Sequence, residues 1–262
     1  MDLAIKGRRA IVAGGSAGLG RATATCLAKE GVEVLISARN AERLERAARE
    51  IGQEAGTEVR YICADHSTVS GRSKLLAAFP DPDILVTTIS PPETTPDILQ
   101  ITPEQWISAF EAGAVGPMEL MRQVVDGMME RGWGRIVNIT TLAAKYPKEA
   151  RMLSGAPRSA LANYTSVLAR KVARNNVTIN NLLPGIYMTE GFFSGLGAVL
   201  DGSEEQRRQL QSDIAGKWRI PAKRLGNPED FGKIAAMLCA DFASFIVGQN
   251  IALDGGAGSS VF

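Results

Sequence analysis

A glycine-rich turn between an apolar strand and a helix constrains this chain more than any other feature. Residues 10–13, AIVA, are apolar and run directly into residues 14–20, GGSAGLG. Glycines let backbone N–H groups come close to a ligand, and the start of the following helix carries partial positive charge. Both properties favour the binding of a pyrophosphate. The unit therefore predicts a nucleotide-binding α/β fold.

The composition excludes several function classes. The 262 residues carry 29 basic and 28 acidic side chains, so no global charge favours nucleic acid or an anionic membrane as a partner. One histidine and three scattered cysteines predict no metal site and reduced thiols. The chain start lacks a signal-peptide pattern, and no apolar run is long enough to span a bilayer. We therefore expect a cytoplasmic protein.

Apolar runs alternate with longer helical patterns along nearly the whole chain. This alternation predicts an α/β protein, a single-domain Rossmann fold over residues 1–262. Its doubly wound parallel sheet has about seven strands with helices on both faces. The less regular stretch 188–215 is interpreted as a lid insertion, or alternatively as a plain surface insertion. The predicted strands are 9–13, 33–38, 58–64, 84–89, 135–140, 177–183 and 250–253, and the predicted helices are 19–30, 41–55, 103–131, 158–175 and 228–241.

The end of the second strand predicts which dinucleotide is bound. Enzymes that use NAD place an acidic residue there for the ribose 2′-hydroxyl, whereas this chain has Ala38 followed by Arg39. The planar guanidinium suits a 2′-phosphate, so NADP(H) is the expected cofactor. Asp65, after the third strand, is placed to accept a hydrogen bond from the adenine amino group. Its neighbour His66 lies at the same site.

These residues resemble the classical short-chain dehydrogenase/reductase family along essentially the full length of the chain. The turn is similar to the family's TGxxxGxG, with Ala13 in place of threonine. Segments Gly134–Ile139, 180–185, 224–230 and 248–256 also match family motifs. The pattern and the resemblance together imply a cofactor site of Gly14, Ser16, Gly18, Leu19, Gly20, Ser37, Arg39, Asn40, Asp65, His66, Ile89, Arg158, Pro184, Gly185 and Thr189.

The redox residues of the family are replaced. No tyrosine in this chain has a lysine four residues later, so the Tyr-x-x-x-Lys motif is missing. The register of the resemblance puts Ser154 at the tyrosine and Arg158 at the lysine. Gly113 stands at the helix asparagine, and Thr141 stands at the active-site serine. Loss of a positioned acid costs about 10²–10⁴-fold in rate.

Two hypotheses concern the replaced residues. Tyr146, on the loop after the fifth strand, is a relocated proton donor, or alternatively a loop aromatic that covers apolar surface. Ser154, Arg158 and Thr141 together bind an anion such as a substrate carboxylate, or alternatively Arg158 forms an ordinary salt bridge at a helix start. Tyr187, beside Gly185, is expected to contact substrate.

We therefore expect an atypical short-chain dehydrogenase/reductase that acts on a small carbonyl or alcohol, with a 3-oxoacyl-like substrate conceivable by resemblance. Thr141 would polarise the substrate oxygen, and Arg158 would hold the nicotinamide ribose. Two alternatives stay open. One is a non-redox lyase or hydrolase that uses the Arg158 and Ser154 anion site, and the other is a catalytically silent NADP(H)-binding protein. The resemblance also implies a homo-oligomer, a tetramer or a dimer.

Overall fold

Seven parallel strands form one twisted sheet at the centre of the protein. The computed structural model describes residues 2–90, 92, 94–95, 97–195 and 203–258. The sheet order is β3-β2-β1-β4-β5-β6-β7, and every neighbouring pair is parallel. This confirms the expected doubly wound sheet. The strands are β1 (Arg9–Ala13), β2 (Glu33–Ala38), β3 (Arg60–Cys63), β4 (Ile84–Thr88), β5 (Gly134–Ile139), β6 (Val177–Pro184) and β7 (Asn250–Leu253).

Helices cover both faces of the sheet because each central strand is apolar on both sides. Val12 packs with the helices of one face, whereas its neighbour Ile11 packs with the helices of the other face. The first face holds α1, α2 and α9, and the second holds α3, α5 and α6. The described helices are α1 (Gly18–Lys29), α2 (Ala41–Ala55), α3 (Val69–Ala78), α4 (Pro103–Phe110), α5 (Gly116–Glu130), α6 (Met152–Val172), α7 (Glu190–Gly195), α8 (Glu204–Lys217) and α9 (Pro228–Leu238).

Several predicted helix boundaries are wrong. The helix expected over 103–131 is split by a π-helical turn at Glu111–Val115, where Gly113 lies against Pro157. Helix α6 starts at Met152 rather than at residue 158, and it accommodates Pro157 in its second turn. Helix α3 was not expected, because Gly71 and two serines interrupt the apolar pattern of its first half. Its N-cap is Thr68, whose side chain accepts from the Gly71 N–H.

The stretch interpreted as a lid contains α7 and α8. Phe193, Ile214 and Leu225 are buried together there in a small apolar cluster of their own. Residues 196–202, within the expected lid, lie outside the described residues. Whether this segment closes over a ligand stays a prediction.

Two searches of the described residues bear on possible partners. No helix in the described ranges is long and apolar enough to cross a membrane. In the same part of the chain, no group of three or more His, Cys, Asp or Glu side chains is arranged to hold a metal ion.

Close packing of α1 against α9 depends on Gly232. A Cβ added there would lie 2.5 Å from the Ala22 carbonyl oxygen and 2.9 Å from Cys26 Sγ. We predict that Gly232→Ala lowers the free energy of unfolding by about 1–3 kcal/mol, because the two helix backbones must separate. Urea denaturation measures this value.

Gly216→Ala is the matched control for this variant. Gly216 also lies within a helix, and a Cβ added there meets nothing within 4 Å. Alanine should therefore raise the free energy of unfolding by about 0.4–1 kcal/mol. Equal stability of the Gly232→Ala variant and the wild type would contradict the packing described for α1 and α9.

Candidate functional site

The turn between β1 and α1 is built so tightly that two of its positions require glycine. The N–H groups of Gly14 and Gly15 both donate to the Ser37 carbonyl, at 2.8 and 3.1 Å. Gly14 has a φ of +95°, and a Cβ there would overlap the Thr88 carbonyl. A Cβ at Gly20 would overlap the Gly14 carbonyl. The turn therefore brings bare backbone to the carboxyl edge of the sheet.

Helix α1 begins at this turn with free donors. Its N-cap, Ala17, makes no side-chain hydrogen bond, and the first turn holds no acidic residue. A cavity of about 480 Å³ opens beside the turn, and its lining includes Ser16, Gly18 and Thr189. The Thr189 methyl carbon lies 3.5 Å from a Cβ built on Gly18. The backbone cradle and the uncapped helix start fit the pyrophosphate of a dinucleotide.

At the end of β2, the Arg39 side chain is exposed, whereas Ser37 and Asn40 have structural roles. The Arg39 side chain is exposed, and no ion pair within the described ranges occupies it. Asn40 caps α2, because its side chain accepts from the Arg43 N–H at 2.8 Å. Ser37 is fully buried and supports the glycine turn through its carbonyl. Of these residues, Arg39 has the side chain free to meet a ligand.

Arg43 adds a second cation beside the glycine turn. It lines the cavity, and its Nη2 lies 3.6 Å from the Glu190 carboxylate of α7. Sequence patterns do not single out Arg43, although its position four residues after Arg39 could have indicated it.

Asp65 and His66 follow β3 in different environments. Burial tends to raise the pKa of Asp65, but the hydrogen bonds from the Ser67 N–H and hydroxyl outweigh it and lower that pKa. One Asp65 oxygen takes both of these bonds, at 3.0 and 2.7 Å. His66 is buried, and its Nε2 has no partner within the described ranges. Burial lowers the pKa of His66 from 6.5 to about 4.

The remaining expected cofactor residues lie at strand ends or at the start of α1. Ile89 follows β4 directly and is half-buried, and Leu19 packs partly against the core. Pro184 closes β6 opposite Leu253, and the Gly185 N–H donates to the Leu253 carbonyl at 3.0 Å. All of these residues except Leu19 lie where parallel strands of a doubly wound sheet end, which is the usual place for a ligand.

Ser154 and Arg158 form a buried pair on α6. They are one helical turn apart, and Arg158 Nη1 donates to both the Ser154 hydroxyl and the Ser154 carbonyl at 3.0 Å. The Arg158 side chain is 3 % exposed. Burial alone lowers the pKa of Arg158 to about 10, so the guanidinium is still charged at neutral pH.

The alternative interpretation, a salt bridge of Arg158, is not found among the described residues. Among the described residues, no Asp or Glu oxygen lies within 4.0 Å of this guanidinium. Gly113 faces it instead, because a Cβ built on Gly113 would lie 3.8 Å from Arg158 Nη1. The charge is therefore buried without a described counter-charge.

Thr141 is held near the same pair by the packing of α6. The Ala143 N–H donates to the Thr141 hydroxyl oxygen at 3.3 Å, at the start of a short 3₁₀ turn. A Cβ on Gly155, next to Ser154, would lie 2.8 Å from the Ala143 carbonyl oxygen. Thr141, Ser154, Arg158 and Gly113 therefore lie around one region at the carboxyl edge of the sheet.

The two tyrosines considered from the sequence both pack against C-terminal residues. Tyr146 packs against the C-terminal segment, where a Cβ on Gly258 would lie 2.9 Å from its hydroxyl oxygen. The Lys145 ammonium lies 5.7 Å from the centre of the Tyr146 ring. The Tyr187 hydroxyl donates to the Leu253 carbonyl at 3.1 Å, and burial raises its pKa to about 12. The Tyr187 hydroxyl is therefore used within the fold, and its contact with substrate stays a prediction.

Comparisons with known proteins show similarity along nearly the whole chain. Residues 13–258 match the family model described as enoyl-(acyl carrier protein) reductase. The chain is 29 % identical to the oxidoreductase YvaG of Bacillus subtilis over the full length of both chains. It is 27 % identical to the 3-oxoacyl-acyl-carrier-protein reductase FabG of Aquifex aeolicus, covering 98 % of this chain and 99 % of that protein.

A solved structure extends the similarity to three dimensions. L-sorbose reductase from Gluconobacter frateurii, complexed with NADPH and L-sorbose, superposes with a TM-score of 0.89. The two sequences are 27 % identical, and the match covers all of both chains.

Because His66 is the only histidine, its buried environment can be tested without ambiguity. Between about pH 6.5 and 4 the unfolded chain binds a proton that the folded chain excludes. The free energy of unfolding should therefore fall as the pH is lowered through this window, by on the order of 3 kcal/mol from His66. His66→Gln should remove that part of the slope.

An NMR titration of the single imidazole gives the pKa in the folded protein. No titration between pH 7 and 5 is the expected result. A midpoint near 6.5 would show that His66 is solvated.

Proposed function

This chain belongs to the short-chain dehydrogenase/reductase family, and we propose that it is an oxidoreductase that binds NADP(H) and acts on a small carbonyl or alcohol. The observation that carries the proposal is the bare glycine turn with Arg39 free beside it. The turn suits the pyrophosphate, and the guanidinium suits the 2′-phosphate that distinguishes NADP(H) from NAD(H).

Two further observations support the choice of NADP(H). The first residues after β2 include no acid to bind a ribose 2′-hydroxyl, which is the group typical of NAD enzymes. L-sorbose reductase, which shares the whole fold, was solved with NADPH bound. In this proposal Gly14, Gly18 and Gly20 hold the pyrophosphate, and Asp65 accepts from the adenine.

The proposed chemistry uses the residues around α6. NADPH supplies the hydride when it is bound. Thr141 points its hydroxyl at the substrate oxygen and polarises the carbonyl. Ser154 holds the Arg158 guanidinium through two hydrogen bonds, and Arg158 donates to a hydroxyl of the nicotinamide ribose. The fixed positive charge also stabilises negative charge that develops on the substrate oxygen in this water-poor region.

The proton donor is the step that differs from the family pattern. Ser154 has neither the reach nor the acidity of a phenol, and Arg158 does not release a proton near neutral pH. Tyr146→Phe tests the relocated donor. A fall in kcat of about 10²–10⁴-fold, with unchanged NADPH affinity, would assign the proton to Tyr146. Unchanged kcat would rule out Tyr146 as the donor.

The oligomer is also a proposal. Exposed apolar side chains on α4, its π turn and α6 include Ile107, Phe110, Val115 and Val167. Phe245, before β7, is 99 % exposed. Burial of these groups against second copies of the chain favours a dimer or tetramer. A cytoplasmic location and a 3-oxoacyl-like substrate remain proposals of the same kind.

Arg39→Ala tests the cofactor. We predict that this change weakens NADPH binding about 10- to 100-fold, because it removes a charged hydrogen-bond donor to the 2′-phosphate. NADH binding should change less than threefold. Calorimetry with both nucleotides measures the two dissociation constants.

Arg49→Ala is the matched control, since Arg49 is an exposed arginine of α2 away from the turn. It should leave both dissociation constants unchanged. Equal losses of affinity for NADPH and NADH in the Arg39→Ala variant would contradict the role of Arg39 in binding the 2′-phosphate.

Turnover distinguishes the rival functions. Oxidation of NADPH that depends on a carbonyl substrate supports the reductase. Conversion of substrate without NADPH oxidation supports the non-redox alternative, which the Arg158 charge favours because it has no counter-charge among the described residues. Tight nucleotide binding without conversion of a broad carbonyl panel supports the silent binding protein.

A further inference from the structure

Among the described residues, Arg158 has fewer partners than the buried Arg135. Charged side chains are rarely buried without a counter-charge or a full set of hydrogen bonds, because the loss of hydration is costly. Arg135, the other arginine of the sheet core, donates to the carbonyls of Gly134, Asn176 and Ala240 and lies 3.9 Å from the Asp241 carboxylate. Within the described residues, the Arg158 guanidinium bonds to Ser154 alone.

The guanidinium of Arg158 has three donors to spare. It carries five N–H groups in a planar fork, and the two bonds from Nη1 go to Ser154. The Nε–H and the two Nη2–H groups have no partner among the described residues. Nε–H and one Nη2–H point in parallel, which matches the two oxygens of a carboxylate. The last Nη2–H remains for the ribose hydroxyl.

The described surroundings of the guanidinium offer no further acceptor. Gly113 lies next to Nη1, where a Cβ built on it would be 3.8 Å away, and it carries no polar side chain. The Ser154 hydroxyl and carbonyl already accept from Nη1. Among the described residues, no acceptor is therefore left for the spare donors.

We propose that Arg158 binds a carboxylate of the substrate, so that the substrates are short oxo acids or the corresponding hydroxy acids. The inference rests on the proposed function and names its substrate class. The carboxylate lies in the Nε and Nη2 fork, and the carbonyl two or three atoms away lies at the Thr141 hydroxyl. A thioester or a neutral ketone leaves the guanidinium unpaired in its buried place and binds more weakly.

Acetoacetate and methyl acetoacetate are the probes, since they differ chiefly in the charged carboxylate. Calorimetry measures their dissociation constants with the full chain, both without nucleotide and with NADP⁺ present. The wild type should bind the acid about 10- to 100-fold more tightly than the ester. Arg158→Met should abolish this preference, and Arg158→Lys should keep only part of it, because a lysine cannot bind bidentately.

Two further variants serve as controls. Arg151→Met removes a positive charge at the start of the same helix and should leave the preference unchanged. Glu93→Gln tests an internal partner, because Glu93 belongs to a segment whose Thr95 N–H donates to the Ala150 carbonyl near α6. Glu93 itself lies outside the described residues. Thermal unfolding of each variant verifies that the fold is kept.

The outcomes separate the two proposals. An acid preference that disappears in Arg158→Met, is reduced in Arg158→Lys and survives in Arg151→Met supports the inference. Equal affinities in the wild type, no binding of either probe, or a preference that emerges only in Glu93→Gln would overturn it. If NADPH fails to bind, the proposed function is lost, whereas the comparison without nucleotide still decides the carboxylate site.

Discussion

Strand β1 and helix α1 approach each other so closely at the glycine turn that the backbone itself forms the ligand surface. Gly20 rests on the Gly14 carbonyl, and the Ser37 carbonyl takes the N–H groups of Gly14 and Gly15. With no side chains in the way, the start of α1 is left open. The positions of Arg39 after β2 and Asp65 after β3 then follow from the parallel order of the sheet, because neighbouring strands end at one edge.

The second half of the proposed site centres on Arg158, a buried charge without a counter-charge among the described residues. A lysine and a phenol at this place would form a pair that both holds ribose and delivers a proton. In our proposal, Arg158 with Ser154 keeps the charge and gives up the acid, because neither group releases a proton at neutral pH. The same replacement leaves three guanidinium donors without described partners. A carboxylate-bearing substrate would satisfy two of them, which links the loss of the acid to a change in substrate.

Much of the fold was predictable from the sequence because buried parallel strands are short apolar runs bounded by turns. All seven strands were expected, and so was the alternation that places helices on both faces. The π turn at Glu111–Val115 was not, although Gly113, Gly116 and Pro117 interrupt the helical pattern of 103–131 there. Helix α3 was missed because its apolar pattern is weak. Its N-cap residue, Thr68, is the local signal that could have indicated it.

The site was predictable where local sequence determines it and not where distant packing does. The glycine turn and Arg39 are local features. Other features depend on residues far apart in sequence. These are the burial of Arg158, the absence of a described carboxylate beside it and the hydrogen bond from the Tyr187 hydroxyl to the Leu253 carbonyl. For Asn40, predicted as a cofactor residue, the structure adds a structural role, because its side-chain oxygen caps α2.

A crystal structure with NADP⁺ bound tests whether the nucleotide pocket is kept while the proton-delivering pair is replaced. We expect the 2′-phosphate within hydrogen-bond distance of Arg39 and the nicotinamide ribose within reach of Arg158. We also expect no tyrosine–lysine pair over the nicotinamide. A dinucleotide bound away from the glycine turn, or a phenol and a lysine together beside the nicotinamide ring, would contradict this account.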